Sequence, residues 1–573
     1  MKKTIILSLV ALAAGTISAA AQNMYDAINF SRNEYLGTAR TMALGNAVTA
    51  IGGDLGTVGI NPAGSAVATY GQLTVTPGFT LSSVSSAYSP EGESMYGPSA
   101  RTTRSRLSMP NLGVSLVMNT GRRSGLKSFT FAVVSNQTAQ YNYAASAYGA
   151  NSRTSKMAEF ASAASGIRED ILANYNSFDN SDVSWDVLTA YQAGMFGSYG
   201  TDGRYVGVTE MISPDGSYHY VPGALQQSSA ITKSGHKNDL VFNFGFNVSD
   251  KFFFGFNLGT PAAEYRYSEA FYETAIDMDA FPISFIGSDG SETFTAFRNG
   301  TYAYNYTADI DGIYAKFGFI ATPATGLRFG AAIQTPTAYT ISERWQYAAA
   351  TVFRDSQFND SETSPRGEYT YCLRSPYVAS FGAAYTFGGR GFISADYELT
   401  DYSVMRFSEQ HPDYLSGDRY MDLNEANRHF AGLSHALRVG GELRLSPEFS
   451  LRAGVSLLTS PERHWTNNEG SDVTAGDFLS DFNSYKGNLK QLVSSRYYGD
   501  RTTSLSLGAG YSSPGSFFVD LAVKCTRYPD TVFSPYYDYD NYNAAGMMVS
   551  TKSPRITNTP TLWNAALTLG WRF

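Results

Sequence analysis

The chain has 573 residues and a formal net charge of −8, and only 16% of its residues are charged. Globular proteins usually contain about 25% charged residues, whereas this chain is rich in Gly (54), Tyr (40) and Phe (36). The mild negative charge argues against a nucleic-acid partner, and two distant cysteines, Cys372 and Cys525, make no disulfide framework. Beyond residue 21, no run approaches the ~18 consecutive apolar residues of a transmembrane helix. If the chain crosses a membrane, it must do so with strands.

The first 21 residues predict an export signal. A basic start, "MKK", precedes a short apolar core, "TIILSLVALAAG", and the small residues "SAAAQ". This core is too short to span a bilayer as a helix. We therefore predict that residues 1–21 are a signal peptide, cleaved after Ala21, and that the mature chain is exported by a bacterium.

Apolar and polar residues alternate in fourteen segments of the chain, which predicts strands with two unlike faces. In the last segment, "LWNAALTLGWRF", Trp563, Leu567, Trp571 and Phe573 fall on one face, and Asn564 falls on the other. The predicted strands begin near residues 72, 111, 127, 239, 251, 312, 326, 376, 391, 436, 449, 503, 516 and 562.

The connections between these segments alternate between short and long. Short ones such as "VSD", "GGR" and "SPE" are followed by connections several times longer. Transmembrane barrels have short periplasmic turns, long external loops and, in bacterial single chains, an even number of strands. The sequence therefore predicts an all-β fold, a 14-stranded antiparallel transmembrane β-barrel of residues 71–573 in a Gram-negative-type outer membrane. A periplasmic or surface all-β protein is the alternative, but it explains only the alternation.

The longest predicted loop, about residues 137–238, contains two helix candidates. In "SKMAEFASAASGIREDILANY", Met157, Phe160, Ile167 and Ile171 form an apolar stripe at helical spacing. The second candidate is "VSWDVLTAYQAGMF". The two helices either pack on each other to cap the barrel, or form an apolar external groove for hydrophobic solutes.

The stretch "AIGGDLGTVGINPAGSAVATYG", residues 50–71, is dominated by small residues. Barrels of about eight strands fill their interior with side chains, whereas barrels of about 16 to 18 strands leave an aqueous channel. A 14-stranded barrel therefore needs a filling. Residues 22–70 precede the first strand and start on the periplasmic side, so we predict that they fold back into the lumen as a plug.

The run "GGDLGTVGINPAG", with the preceding "TARTMALGNAVTA", resembles the N-terminal hatch of the FadL-type outer-membrane transporters of long-chain fatty acids and aromatic hydrocarbons. The resemblance implies passive uptake of hydrophobic molecules through a hatch-closed barrel, with exit sideways or inward after the hatch rearranges. It assigns Asn61, Pro62 and Ala63 to the hatch, and Gly64 and Asp54 complete the candidate gating residues. The ligand-contact residues of the family match no motif in this chain.

Charged side chains at inward positions cluster near the short turns. They are Lys316, Arg328, Asp396, Glu442, Arg452 and Asp520. Charges in a barrel lumen commonly pair across adjacent strands without a role in transport. In the alternative interpretation, this ring anchors the hatch through its backbone amides and carbonyls and through Asp54.

No arrangement of nucleophiles and no metal-ligand spacing points to an enzyme, a cofactor or a metal site. The histidines, which fall in predicted loops or strand ends, are His219, His236, His411, His429, His435 and His464. The favoured function is passive transport of a hydrophobic small molecule. The alternatives are a protein-secretion shuttle or surface interaction protein, as some relatives of FadL-type barrels are, and a haem-uptake receptor, since imidazole ligates haem iron.

The expected partners follow from the predicted location. They are the hydrophobic solute, outer-membrane lipid, and the barrel-assembly machinery through the C-terminal strand that ends at Phe573. The chain is expected to be a monomer.

Overall fold

The computed structural model describes residues 24–90, 95–200, 203–216, 218–286, 290–410, 420–467, 472–480, 492–497, 500–542 and 548–573. The predicted signal peptide, residues 1–21, and His411 lie outside the described residues. In the described part of the chain, no helix combines the length and the apolar character needed to cross a bilayer.

Fourteen antiparallel strands of the described chain close into a barrel, as predicted. Consecutive strands pair with one another, and the first strand closes the barrel against the last, from the pair Gln72–Arg572 to the pair Ser89–Arg555. The strands are β1 Gln72–Ser89, β2 Ala100–Asn119, β3 Leu126–Gln140 with Tyr143–Asn151, β4 Leu225–Val248, β5 Phe252–Ala275, β6 Glu292–Ala324, β7 Leu327–Gln334 with Ala338–Phe353, β8 Gly367–Arg374 with Val378–Thr386, β9 Gly391–Asp401 with Arg406–Glu409, β10 Leu433–Arg444, β11 Phe449–Thr459, β12 Arg501–Ser512, β13 Phe517–Arg527 with Thr531–Phe533, and β14 Arg555–Arg572.

The two faces of the strands differ as the alternation predicts. Phe244 on β4 and Leu443 on β10 point outward and are 44% and 55% exposed, whereas their neighbours Asn243 and Glu442 point inward and are 0% and 5% exposed. An apolar outer band and a polar interior are the pattern of a barrel surrounded by lipid. The exposure pattern is therefore that of a barrel built to span a membrane.

The strands are longer than a bilayer requires. β5 has 24 residues and β6 has 33, whereas about 9–11 residues suffice to span the membrane. The predicted insertion of about residues 137–238 is therefore too long, because β3 continues to Asn151 and β4 begins at Leu225. Above the membrane the outward face no longer has to be apolar, so the alternation that marks a strand fades there.

Helices occur before β1 and in the long loops. They are α1 Met24–Ser31, α2 Ala39–Ala43, α3 Lys156–Ala163, α4 Glu169–Leu172, α5 Ser177–Asn180, α6 Trp185–Gln192, α7 Met421–Phe430 and α8 Ala475–Ser480, with 3-10 turns at Leu55–Thr57, Pro62–Val67, Met278–Ala280, Ser356–Phe358 and Tyr402–Val404. Short loop strands are Phe196–Ser198, Tyr205–Gly207, Met211–Ile212, His219–Tyr220, Pro282–Ile286, Asp360–Thr363, Arg463–Asn467, Asp472–Val473, Leu492–Tyr497, Tyr539–Tyr542 and Met548–Thr551.

The loop between β3 and β4 packs down onto the barrel. Met157 and Phe160 of α3 and Leu188 of α6 are buried in one apolar cluster with Phe297 of β6. The first predicted helix is divided into α3 and α4 at Gly166, which has φ +85°, a conformation that favours glycine. We refer to residues 152–224 as the cap.

Candidate functional site

Residues 24–70, the described part of the predicted plug, lie against the inward faces of the strands, and we refer to them as the hatch. The helix α2 contacts β11 to β14, and the turn Pro62–Val67 contacts β3 to β6 on the other side of the lumen. The chain leaves the hatch at Gly71, whose amide donates to the Phe573 carbonyl at 2.9 Å. The start of β1, where the hatch ends, therefore lies beside Phe573.

The hatch builds its turns with side-chain caps. The Asp54 Oδ1 accepts hydrogen bonds from Thr38 Oγ1 at 2.6 Å and from the Gly56 amide at 2.8 Å. The Asn61 Oδ1 accepts from the Ala63 amide at 3.0 Å, which caps the turn that Pro62 opens. Asp54 therefore bonds within the hatch, and these contacts do not link it to the charged ring of the wall.

Asn61 also connects the hatch to the barrel wall. Its Nδ2 donates to the Thr49 carbonyl within the hatch at 2.7 Å and to the Phe319 carbonyl of β6 at 3.1 Å. The neighbouring Pro62 carbonyl accepts from Asn243 Nδ2 of β4 at 3.0 Å. The motif thus spans the contact between hatch and wall.

Small residues let these segments approach closely. Ala63 is buried against Phe253 and Ile320 of the wall. The Gly53 amide donates to the Gly64 carbonyl at 2.8 Å, and a Cβ on Gly64 would lie too close to Thr57 to fit. Gly64 therefore serves close packing within the hatch.

Half of the predicted charged ring contacts the hatch backbone. Lys316 Nζ donates to the Gly59 carbonyl and Arg328 to the Ile51 carbonyl, both at 2.8 Å. The Asp396 Oδ2 accepts from the Thr49 amide at 2.7 Å. These side chains lie on β6, β7 and β9, so they hold one side of the hatch.

The other half of the ring forms a buried ion cluster. Arg452 donates to Glu442 at 2.7 Å and to Asp520 at 2.5 Å. Arg40 of the hatch joins the cluster, because its Nε donates to the same Glu442 oxygen at 3.0 Å. Removing one member of a buried ion pair costs about 3–5 kcal/mol, since the partner charge is left uncompensated. The cluster therefore combines ion pairs between side chains of the wall with an anchor to the hatch through Arg40.

A belt of inward-facing glycines surrounds the hatch and was not recognised from the sequence. Its members are Gly245, Gly255, Gly318, Gly330, Gly382, Gly440, Gly454 and Gly508. A Cβ on Gly255 would collide with Pro62, and one on Gly440 with Leu44. Glycine inside a strand often marks the close approach of another backbone. The inward glycine of each "FGF" motif was therefore the feature of the sequence that could have predicted this contact.

Above the hatch, the lumen opens into a cavity of about 810 Å³. Its walls include Tyr302 and Tyr304 of β6, Tyr347 of β7 and Glu269 of β5, and α3 and α6 of the cap contribute Lys156 and Asp186. These tyrosines face the lumen. The alternation in "TYAYNYTADI" indicates this, because Tyr302, Tyr304 and Tyr306 are alternate residues with the inward parity of Lys316.

Buried charged groups make contacts within the cap. Lys156 Nζ lies 2.9 Å from Glu159 and 4.2 Å from the centre of the Phe160 ring. Burial lowers the pKa of Lys156, but the carboxylates of Glu159, Asp186 and Glu269 together outweigh it and raise the pKa, whereas burial raises the pKa of Glu159. Burial raises the pKa of Glu210 to about 7. Its carboxyl accepts from the Gly207 amide at 2.9 Å.

In the described residues, no group of three or more His, Cys, Asp and Glu side chains could hold a metal ion. Cys372 and Cys525 are both free thiols.

No protein-family model and no curated protein sequence matches the chain. Among solved structures, the chain is similar to a FadL homologue of Pseudomonas aeruginosa, with 12% identity, a TM-score of 0.47, and coverage of 94% of this chain and 98% of that one. It is also similar to the P. putida toluene transporter TodX (10% identity, TM-score 0.44, 94% and 98% covered) and the Ralstonia pickettii toluene transporter TbuX (13%, 0.40, 94% and 98%). The chain is thus similar, over nearly all of its length, to barrels of the FadL type.

Proposed function

We propose that this chain is a passive, non-enzymatic outer-membrane channel for hydrophobic small molecules, closed by the N-terminal segment 22–70. The observation that supports the proposal most is the division of the lumen. The hatch fills its lower part, and a cavity of about 810 Å³ lies above it. A solute entering from the long-loop side would reach the cavity first and then meet the hatch.

The contacts of the hatch suit a closure that can move. Apart from the Arg40–Glu442 ion pair, the contacts described above between hatch and wall are single hydrogen bonds to backbone groups and the packing of small side chains. Each neutral hydrogen bond contributes about 0.5–1.5 kcal/mol net, and each hydrogen bond to a charged group about 1.5–3 kcal/mol. The turn Pro62–Val67, which the neutral bonds of Asn61 and Asn243 connect to the wall, can therefore detach at lower cost than the side held by Lys316, Arg328 and Asp396. Asn61 is the proposed gating residue, because it bonds to Thr49 in the hatch and Phe319 in the wall.

Two measurements on purified protein test this function. Wild-type protein in planar bilayers should conduct ions poorly, and deletion of residues 22–70 should open it to porin-like conductance. Asn61→Ala should give a smaller rise, while Asn305→Ala, an exposed position on β6, should change nothing. Vesicles that contain the wild-type protein should take up naphthalene faster than protein-free vesicles.

The outcomes separate closure from transport. A wild-type barrel that already conducts like a porin, with no change on deletion, would contradict the hatch. Naphthalene uptake at the protein-free rate would contradict transport of hydrophobic solutes. Secreted proteins that copurify with a barrel lacking uptake would favour the shuttle function instead.

A further inference from the structure

The cavity above the hatch is lined by tyrosines rather than by plain apolar side chains. The Tyr304 ring lies 4.9 Å from the Tyr347 ring and 6.5 Å from the Tyr306 ring, measured between centroids. Tyr306 in turn lies 6.2 Å from Tyr265, which lies 5.6 Å from Phe30 of the hatch helix α1. A continuous column of rings therefore runs from the cavity down to the hatch.

The column is formed by strand register. Tyr304 pairs with Tyr347 across β6 and β7, and Tyr306 pairs with Tyr267 across β6 and β5. Because these residues share the inward face, their rings present flat surfaces to the lumen. Flat aromatic surfaces bind other rings in stacked or edge-on geometry, and each such pair adds about 0.5–1.5 kcal/mol beyond the area that it buries.

Carboxylates lie among the rings as hydrogen-bond acceptors. Glu269 on the cavity wall accepts from Tyr267 OH at 2.7 Å, and below it the buried Glu343 accepts from Tyr306 OH at 3.1 Å. A carboxylate offers about four acceptor sites, and the Tyr267 hydroxyl occupies one of those on Glu269. Asp186 adds a second carboxylate to the cavity wall.

The cations of the cavity wall already have carboxylate partners. Lys156 pairs with Glu159 at 2.9 Å, and Arg555 pairs with Asp538 at 3.2 Å. Burial would raise the pKa of Asp538, but hydrogen bonds from Lys552 and Ser553 and the charge of Arg555 lower it to about 2, so the carboxylate remains charged.

The ammonium of Lys233 faces the rings of Tyr143 and Tyr267, 5.4 and 5.9 Å from their centroids. It does not belong to the described lining of the cavity. Hydrogen-bond acceptors of the lining are therefore better placed for a new ligand than its cations are.

We propose that the preferred ligands of this cavity are planar ring compounds that carry a hydroxyl or amino donor, and that fatty carboxylates bind less well. The inference rests on the proposed function, since the same cavity would be the entry site for transport. The rings of Tyr304 and Tyr347 stack with the ligand ring, and Glu269 accepts the hydrogen bond from its donor group. A volume of about 810 Å³ lies within the range of about 300–1,000 Å³ typical of small-molecule sites.

Calorimetric titration of the full mature chain in lipid nanodiscs tests the ligand class. The probes are 2-naphthol, 2-naphthoate and naphthalene, which share one ring system, with empty nanodiscs as the control for partition into lipid. We expect 2-naphthol to bind more tightly than naphthalene and 2-naphthoate to bind most weakly. Equal affinities for the three, or preference for 2-naphthoate, would overturn the proposal.

Two variants with matched controls locate the site. Glu269→Gln should weaken 2-naphthol binding about fivefold, because the acceptor loses its charge, and should improve 2-naphthoate binding. Glu264→Gln, an outward position on the same strand, should change neither.

Tyr304→Leu should weaken all three probes about threefold or more through the lost ring contact, whereas Tyr272→Leu on the outer surface should not. Unchanged 2-naphthol binding in Glu269→Gln would overturn the assignment even if Tyr304→Leu failed to fold.

Naphthalene uptake by vesicles distinguishes the two proposals. Uptake without a preference for 2-naphthol would overturn the ligand class and leave the transport function intact. A preference for 2-naphthol without any uptake would support the ligand class and contradict transport.

Discussion

The lower and upper halves of the lumen differ in the side chains that line them and in the functions proposed for them. In the lower half, glycines of the wall admit the hatch backbone, and the Arg452–Glu442 pair and its neighbours hold it. In the upper half, Tyr302, Tyr304 and Tyr347 leave a cavity open under the cap. The proposed closure depends on backbone contact at short range, whereas the proposed recognition depends on exposed ring faces and hydrogen-bond acceptors.

The two proposals therefore assign sealing and binding to separate layers of one barrel. The ring column connects the two layers, because it runs from the cavity to Phe30 of the hatch. Changes in either layer should therefore affect one property much more than the other, and the following variants test that division.

The largest effect is expected at the glycine belt. Gly440→Val should displace the hatch and open the barrel to ions, because its Cβ would collide with the Leu44 backbone. The cost should exceed the about 1–3 kcal/mol of ordinary overpacking, since backbone yields less than side chains do. Single-channel recording measures the opening. Gly441→Val is the control, because the nearest atom to its Cβ, the Phe392 carbonyl oxygen, would be 3.5 Å away. Equal conductance in the two variants would show that the glycine belt is not needed to close the lumen.

In the upper half, Phe160→Ala should loosen the cap without opening the hatch. Phe160 is fully buried, with its ring 5.1 Å from Tyr302, and such a truncation costs about 3–5 kcal/mol. Proteolysis of residues 152–224 on intact cells should accelerate, while ion conductance stays low. Tyr175→Ala, an exposed position of the cap, is the control. A conducting Phe160→Ala barrel would show that the two layers are not separate.

The cap should also loosen as pH rises. Glu210 has a folded pKa of about 7 against an ordinary 4.5, so the folded state keeps a proton that the unfolded state releases. Between these values stability falls with rising pH, by up to about 3 kcal/mol in total, and it levels off above pH 7. His219, 4.0 Å away, opposes part of this trend, because burial and the charge of Arg204 lower its pKa, so its own contribution to stability rises with pH. Glu273 and Tyr539 also face Glu210, and the Glu273 charge contributes to raising its pKa.

Hydrogen exchange of residues 205–212 between pH 5 and pH 8 measures this loosening after correction for intrinsic rates. Glu210→Gln should flatten the dependence, and Asp170→Asn, exposed in the same loop, should keep it. A wild-type cap that is more protected at pH 8 than at pH 5 would reverse the assigned sign.

The smallest effect is expected for a single anchor of the hatch. Arg328→Gln removes the hydrogen bond to the Ile51 carbonyl, which should cost about 1–2 kcal/mol and produce brief openings in single-channel records. Arg390→Gln, in an exposed turn on the same side, should record like the wild type. Full opening by Arg328→Gln would mean that this one contact, and not the whole set of contacts between hatch and wall, closes the lumen.

The alternation of apolar and polar residues predicted the membrane-spanning part of each strand, because lipid and lumen favour opposite kinds of side chain at alternate positions. Phe244 and Asn243 could be assigned to their faces on that ground alone. It failed above the membrane, where both faces of β3 and β4 meet water or protein, so the predicted loop was too long. The break between α3 and α4 was also missed, although Gly166 stood at that point as a potential helix terminator.

The sequence alone was enough to predict the barrel, its strand number, the alternation of short and long connections and the position of the small-residue segment before β1. It could not predict which ring member bonds to which hatch atom, because Lys316, Asp396 and Glu442 come from separate strands. Likewise, the Tyr304–Tyr347 contact requires the register of β6 and β7. Periodicity fixes the face on which a side chain lies, but the contacts across the lumen depend on how the closed barrel brings distant strands together.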